Sequence, residues 1–169
     1  ITGLIGQEGR RGALMISIDC NHPDLIEFIN LKSQKDICTK ANISVRVSDK
    51  FMQAVLNDLD YTLSYYRPEG NQTIEKTIRA KEIFHLLALR NWEWAEPGIL
   101  YWDRIQGYNL LDNTGFKYAG VNPCAEEPLP AGGSCLLGSI NLSEFVINPF
   151  TNNAKIDYEA LEEATSIAI

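Results

Sequence analysis

The 169-residue sequence predicts an α/β fold, and three observations carry that reading. Short β-capable apolar runs alternate with segments whose apolar residues recur at helical spacing, the pattern of helices packed on parallel strands. A content of 45% apolar and 22% charged residues is enough for a packed core and argues against general disorder. No internal repeat, low-complexity tract or flexible linker interrupts the chain, so residues 1–169 read as one compact piece. Parallel pairing would bury several strands on both faces.

The elements follow in order. "ALMISIDC" (13–20) reads as the first strand. "NHPDLIEFINLKSQ" (21–34) reads as a helix: Asn21 or His22 can cap it, Pro23 suits its first turn, and Asp24 and Glu27 favour its positive end. Leu25, Ile26, Phe28 and Ile29 supply its buried side. "ANISVRV" (41–47) is the second strand, after which Ser48 can cap "DKFMQAVLNDL", with Phe51, Met52, Val55, Leu56 and Leu59 at helical spacing. "YTLSYYRPEGN" (61–71) reads as a strand ending in a Pro/Gly turn. Residues 73–95 form the longest helical pattern, with Ile74, Ile78, Phe84, Leu87 and Leu89 on its apolar side and "EPG" as its stop. "ILYWDRI" (99–105) reads as a strand and 106–118 as a polar loop. "SCLLGSINLSEFV" reads as a strand running into a helical turn, and Asp157 can cap a last helix. Trp92, Trp94 and Trp102 are expected in the core or between helices, and Cys20 and Cys38 are read as structural.

The formal net charge of −7 argues against a broad surface for a nucleic-acid polymer, which needs a basic face. There is no apolar run of about 18 residues to span a membrane, and the first residues do not resemble a signal peptide. Reduced thiols in the cytoplasm are therefore expected. The sequence lacks an initiator methionine and "EEATSIAI" breaks off inside an apolar pattern with no Gly or Pro stop signal, so both ends read as cut from a larger protein. No CxxC pair occurs and His22 and His85 are the only histidines, so no metal site is assigned.

The stretch "VNPCAEEPLPAGGSC" (121–135) carries the chemistry. A lone cysteine is usually a small buried apolar residue. Here Pro123, Pro128 and Pro130 stiffen the segment, and rigidity serves to hold a reactive atom in place. Asn122, Cys124 and Glu126 stand at i, i+2 and i+4, which in an extended segment points an amide, a thiol and a carboxylate to one side. A cysteine hydrolase would need a histidine base; His85 reads as structural and His22 as a cap, and a nearby carboxylate disfavours the thiolate. A thiol acting as a hydrogen-atom donor or thiyl radical needs no thiolate, only shielding, a fixed position and a base for the substrate. Glu126 fits that base, Asn122 a hydrogen-bond anchor, and Cys135 a source of reducing equivalents with a partner thiol.

"NPCAEEPLPAGGSCLLGSINLSEFV" resembles the active-site stretch of the ribonucleotide reductase large, catalytic subunit. "GRRGALMISIDCNHPDLIEFINLKSQ", "NISVRVSDKFMQAV" and "WAEPGILYWDRI" resemble successive blocks of that family in the same order, so the resemblance covers essentially the whole chain. It implies part of a ten-stranded α/β barrel made of two half-barrels, with the active-site cysteine on a finger loop. By the same resemblance, Cys124 matches the thiyl-radical cysteine that removes the 3′ hydrogen of the ribose. Glu126 matches the carboxylate that takes the 3′ hydroxyl proton, and Asn122 the amide that binds the ribose. Cys135 matches one of the two thiols that close to a disulfide, its partner being expected before Ile1.

The family's substrate is a ribonucleotide, here expected as the diphosphate, with nucleoside triphosphate effectors and thioredoxin or glutaredoxin as reductant. The short Cys124–Cys135 interval resembles the adenosylcobalamin-dependent class; the alternative is a radical from a small di-metal partner subunit. A homodimer is also implied. The segment "GLIGQEGRRG" (3–12) is similar to the loop joining the effector site to the substrate base, which makes Arg10 and Arg11 candidates for nucleotide contact. The isolated fragment is expected to be inactive. Two other readings stay open: a non-catalytic thiol module, and a glycyl-radical-type enzyme, which also uses a cysteine finger loop.

Overall fold

Alternation of polar and apolar side chains in one strand organises the fold, which a computed structural model describes over residues 12–33 and 38–169. Met15–Asp19 forms β1, followed by a short helix α1 (Leu25–Ile29) and a 3-10 turn at Leu31–Ser33. The helix read over 21–34 is thus a single turn beginning after Pro23. His22 Nδ1 accepts from the Asp24 amide at 3.1 Å, and Gln34 lies outside the described residues. Asn42–Val47 forms β2, and Asp49–Leu56 forms α2, capped as expected by Ser48 Oγ, which accepts from the Phe51 amide at 3.1 Å.

Asp60–Arg67 (β3) and Gln72–Arg79 (β4) form an antiparallel hairpin in register from Asp60↔Arg79 to Arg67↔Gln72. The helix α3 spans Ala80–Trp94, so the first seven residues of the long helix expected over 73–95 are strand. Ile74 and Ile78 misled: a spacing of four lies on one face of a helix and also on one face of a strand. The tight turn at Pro68–Gly70, closed by Asn71 at φ 46°, folds 72–79 back on β3. Gly98–Tyr101 is β5, and the strand expected over 99–105 gives way to a helix, α4 (Trp102–Gly107). Gly120–Val121 (β6) pairs antiparallel with Pro128–Leu129 (β7).

The three strands β1, β2 and β5 are parallel, with β2 in the centre. Val45 and Val47 of β2 point to the helix-covered face and join Leu25, Ile29, Phe51, Ala54, Tyr61, Leu63, Ala80, Ile83 and Leu87 in one buried cluster. Phe51 is fully buried with its ring 5.1 Å from Tyr61 in an edge-on arrangement. Phe51→Ala is expected to cost about 3–5 kcal/mol of stability, read as a lower urea midpoint. Asn42, Ser44 and Arg46 occupy the opposite face. The expected burial of strands on both faces holds only in part for β2: on this polar face Ser44 is buried and Arg46 half-buried, while Asn42 is exposed. Gly98 lets β5 approach there, since a Cβ would lie 2.9 Å from Ser44 Oγ.

Two compact units divide the chain, one through Gly133 and one from Ser134 to Ile169. In the second, 134–141 is irregular rather than a strand, and Leu142–Phe145 is a 3-10 turn. Val146–Ile147 (β8) pairs antiparallel with Lys155–Ile156 (β9). Helix α5 (Tyr158–Ala168) is capped as expected by Asp157 Oδ1, accepting from the Ala160 amide at 3.1 Å. Trp92, expected to pack, is 83% exposed. Among the described residues no helix is long and apolar enough to cross a membrane.

Candidate active-site turn

The residues singled out by chemistry sit on the six-residue loop 122–127, between β6 and β7. Its closure is over-determined. The Asn122 carbonyl accepts from the Ala125 amide at 2.9 Å, making a turn with Pro123 and Cys124 at its centre. Pro123 presets its own φ, and Ala125 takes a positive φ of 66°. The Asn122 amide donates to the Glu127 carbonyl at 3.2 Å, while Asn122 Oδ1 accepts from the Glu127 amide at 3.0 Å. The Ala119 amide donates to the Leu129 carbonyl at 2.8 Å below the loop.

The polar face of β2 holds this hairpin. Asn42 Nδ2 donates to the Pro123 carbonyl at 2.7 Å, and one Arg46 guanidinium nitrogen donates to the Ala119 carbonyl at 3.2 Å. Arg46 is itself fixed. Its other terminal nitrogen donates to Asp19 Oδ2 at 2.9 Å, its Nε lies 2.9 Å from Asp19 Oδ1 without hydrogen-bond alignment, and its guanidinium carbon sits 5.0 Å from the Trp102 ring centre. From α4, Gln106 Nε2 donates to the Tyr118 carbonyl at 2.9 Å. Asn109, buried, ties the loop before it by donating to the Phe116 carbonyl at 2.6 Å.

Two expectations are corrected here. The segment is a tight turn and not an extended strand, so the i, i+2, i+4 alternation does not govern where Asn122, Cys124 and Glu126 point. Cys124 is a free, exposed thiol and Glu126 is also exposed, so shielding is not supplied by the described residues. Cys135 is a free, exposed thiol on the irregular start of the second unit. Arg10 and Arg11 lie outside the described residues.

Asn42 and Arg46 escaped the sequence reading. Their signal was the alternation in "NISVRV", where every second residue is polar in a strand whose class calls for apolar residues throughout.

Beyond the carboxyl ends of the three parallel strands lies a cavity of about 200 Å³ lined by Asp19, Cys20, Asn21, Arg46, Ser48, Tyr61, Trp102 and Asp103. Burial, reinforced by a hydrogen bond with Cys20 at 3.6 Å, pushes the Tyr61 hydroxyl up to about 12, so it stays protonated at neutral pH. A neighbouring cavity of about 570 Å³ opens between Asn21, Ser48 and β3. A third, of about 460 Å³, borders α3 at His85 and Arg79. None of the three is lined by residues of the 122–127 turn. Among the described residues no group of three or more His, Cys, Asp or Glu is placed to hold a metal ion.

The family model of the ribonucleotide reductase barrel domain matches residues 2–169. The chain belongs to the ribonucleotide reductase family. It is 40% identical over 164 residues to the vitamin B12-dependent ribonucleoside-diphosphate reductase of Thermoplasma acidophilum, covering 96% of this chain and 20% of that protein. It is 30% identical over 169 residues to the protein of the same name from Mycobacterium tuberculosis strain H37Rv, covering 99% of this chain and 23% of the relative. A vitamin B12-dependent ribonucleotide reductase of Streptomyces coelicolor is 32% identical over 187 residues, covering 97% of this chain and 19% of the relative. The chain thus spans about one fifth of the length of these reductases. The resemblance carried by the short motifs is borne out along the whole chain, with mixed α/β structure; among the described residues the parallel sheet is three-stranded and does not close into a barrel.

Proposed function

We propose that the protein containing this chain reduces ribonucleotides, most simply ribonucleoside diphosphates, to deoxyribonucleotides for DNA synthesis. One observation carries this reading. In a chain of the ribonucleotide reductase family, the Asn122-Pro-Cys124-Ala-Glu126 sequence forms a rigid turn tethered to the sheet. Residues 1–169 are read as one partial segment of a ten-stranded barrel, with 122–127 at the tip of its finger loop.

Cys124 acts as the thiyl radical. It takes the hydrogen from C3′ of the ribose, becoming a thiol and leaving a carbon radical. Glu126 accepts the 3′ hydroxyl proton. Asn122 Oδ1 is committed to the Glu127 amide, which leaves its NH₂ as the group that donates to a ribose oxygen. Cys135 and a second thiol supplied outside this chain form the reducing pair. The 2′ hydroxyl takes a proton from one thiol of the pair and leaves as water. The other thiol's hydrogen goes to C2′, and Glu126 returns its proton to the 3′ oxygen as the pair closes to a disulfide. The Cys124 thiol then returns its hydrogen to C3′ and is a thiyl radical again. The protein's contribution is positioning and exclusion of water. The exposed turn receives that exclusion from other parts of the parent chain, so the isolated segment does not turn over.

Adenosylcobalamin is the proposed radical source, because the relatives named above are called vitamin B12-dependent. When bound it supplies the radical that oxidises the Cys124 thiol. The three cavities described do not border the turn, so none of their lining residues is assigned to the corrin. Nucleoside triphosphate effectors, a homodimer, a thioredoxin or glutaredoxin reductant and a cytoplasmic location complete the proposal. Arg10 and Arg11 are candidates for nucleotide contact.

A single-turnover experiment tests the reading. Pre-reduced full-length protein with adenosylcobalamin and excess ribonucleotide, but no external dithiol, is expected to give a burst of deoxyribonucleotide. Cys135 should then appear in a disulfide by peptide mass spectrometry, and Cys135→Ser should give no burst. A burst that leaves the Cys135 thiol reduced would overturn its assigned role.

A further inference from the structure

We propose that Asn42, with Arg46 as a second anchor, is the positioning residue for the Cys124 thiol. The proposal rests on the reading of Cys124 as the reacting thiol. Asn42 and Arg46 stand four residues apart on one face of the central strand β2, which is hydrogen-bonded on both sides. Their partners, the Pro123 and Ala119 carbonyls, also stand four residues apart. Along extended backbone that spacing is about 13 Å on each side, so the spacing of the two anchors matches that of the two carbonyls they hold. The order is reversed, Arg46 with Ala119 and Asn42 with Pro123, so the segment entering the turn runs antiparallel to β2. Two anchors fix both its place and its direction.

The Asn42 tether lies next to the thiol. The Pro123 carbonyl belongs to the peptide that joins Pro123 to Cys124, and holding its oxygen holds that peptide plane. The Asn122–Ala125 hydrogen bond closes the turn from the other side. Cys124 is therefore held through the backbone on both flanks while its side chain stays exposed. Asn42 is an exposed residue outside the buried cluster, so its amide can be changed without opening the core.

The test uses the full-length protein with Asn42→Ala, Asn42→Asp and Cys124→Ser. Asn42→Ala is expected to lower kcat about 100-fold, the effect of misplacing a reacting group by about 1 Å, with KM within about twofold. Alkylation of Cys124 by iodoacetamide, read on its peptide by mass spectrometry, should change severalfold. Asn42→Asp supplies a readout that a structural role would not move. Its carboxylate cannot donate to the Pro123 carbonyl, but the protonated acid can. Its kcat relative to that of Asn42→Ala should therefore rise as the pH is lowered. Wild-type kcat and alkylation rate in Asn42→Ala would overturn the proposal, as would identical pH profiles for the two Asn42 variants. Retained turnover in Cys124→Ser would instead overturn the reading of Cys124. The tether would then stand or fall on the alkylation rate alone, a changed rate supporting it and an unchanged rate overturning it.

Discussion

Replacing Cys124 by serine in the full-length protein is expected to reduce ribonucleotide reduction to assay background while leaving nucleotide affinity and stability in place. A thiol gives up its hydrogen atom readily and a hydroxyl does not. The serine side chain can neither become the radical that attacks C3′ nor return a hydrogen to it. The substitution is otherwise mild. Cys124 sits exposed at the centre of a turn whose hydrogen bonds all come from the backbone and from Asn122 and Asn42, so the stability change should stay within about 0.5 kcal/mol. Product chromatography, equilibrium nucleotide binding and a urea melt separate the two effects. Loss of activity together with loss of fold would not count for the radical role, whereas loss with binding and midpoint intact would.

Glu126→Gln is expected to lower kcat by about 10²–10⁴-fold, the range for removing a positioned general base. Glutamine keeps the length and hydrogen-bonding shape of the side chain but cannot take the 3′ hydroxyl proton. Because that interaction belongs to the transition state, kcat and kcat/KM should fall together with KM little changed. Glu126→Asp, which keeps the base but shortens its reach, should fall between wild type and Glu126→Gln. A rise in KM alone would make Glu126 a binding residue and leave the proton without an assigned acceptor.

Local chemistry was legible in the sequence, and long-range geometry was not. Ser48 and Asp157 were readable as caps because a cap acts over three residues and its residue type is specific. The parallel β1, β2 and β5 were readable from apolar runs separated by helices. Ile74 and Ile78 were misread because their spacing satisfies both periods; the turn at 68–71 decides between them by pairing β4 with β3. That Asn122, Cys124 and Glu126 share one stiff segment was legible, but the segment's conformation was not. Alanine rarely adopts positive φ, so nothing in the sequence announces the Ala125 geometry that closes the turn. The tethers from Asn42 and Arg46 join residues 81 and 73 positions apart, beyond any local pattern. Only the polar alternation within "NISVRV" marked those two as facing something other than a core.

The most direct test is to incubate the full-length protein with adenosylcobalamin, a dithiol and ribonucleoside diphosphates, without any second subunit, and to measure deoxyribonucleotide formation. Turnover in the wild type and none in the Cys124→Ser control is the expected result. Turnover that appears only when a metal-containing subunit is added would contradict the proposed radical source, and equal turnover in the control would contradict the role of Cys124 itself.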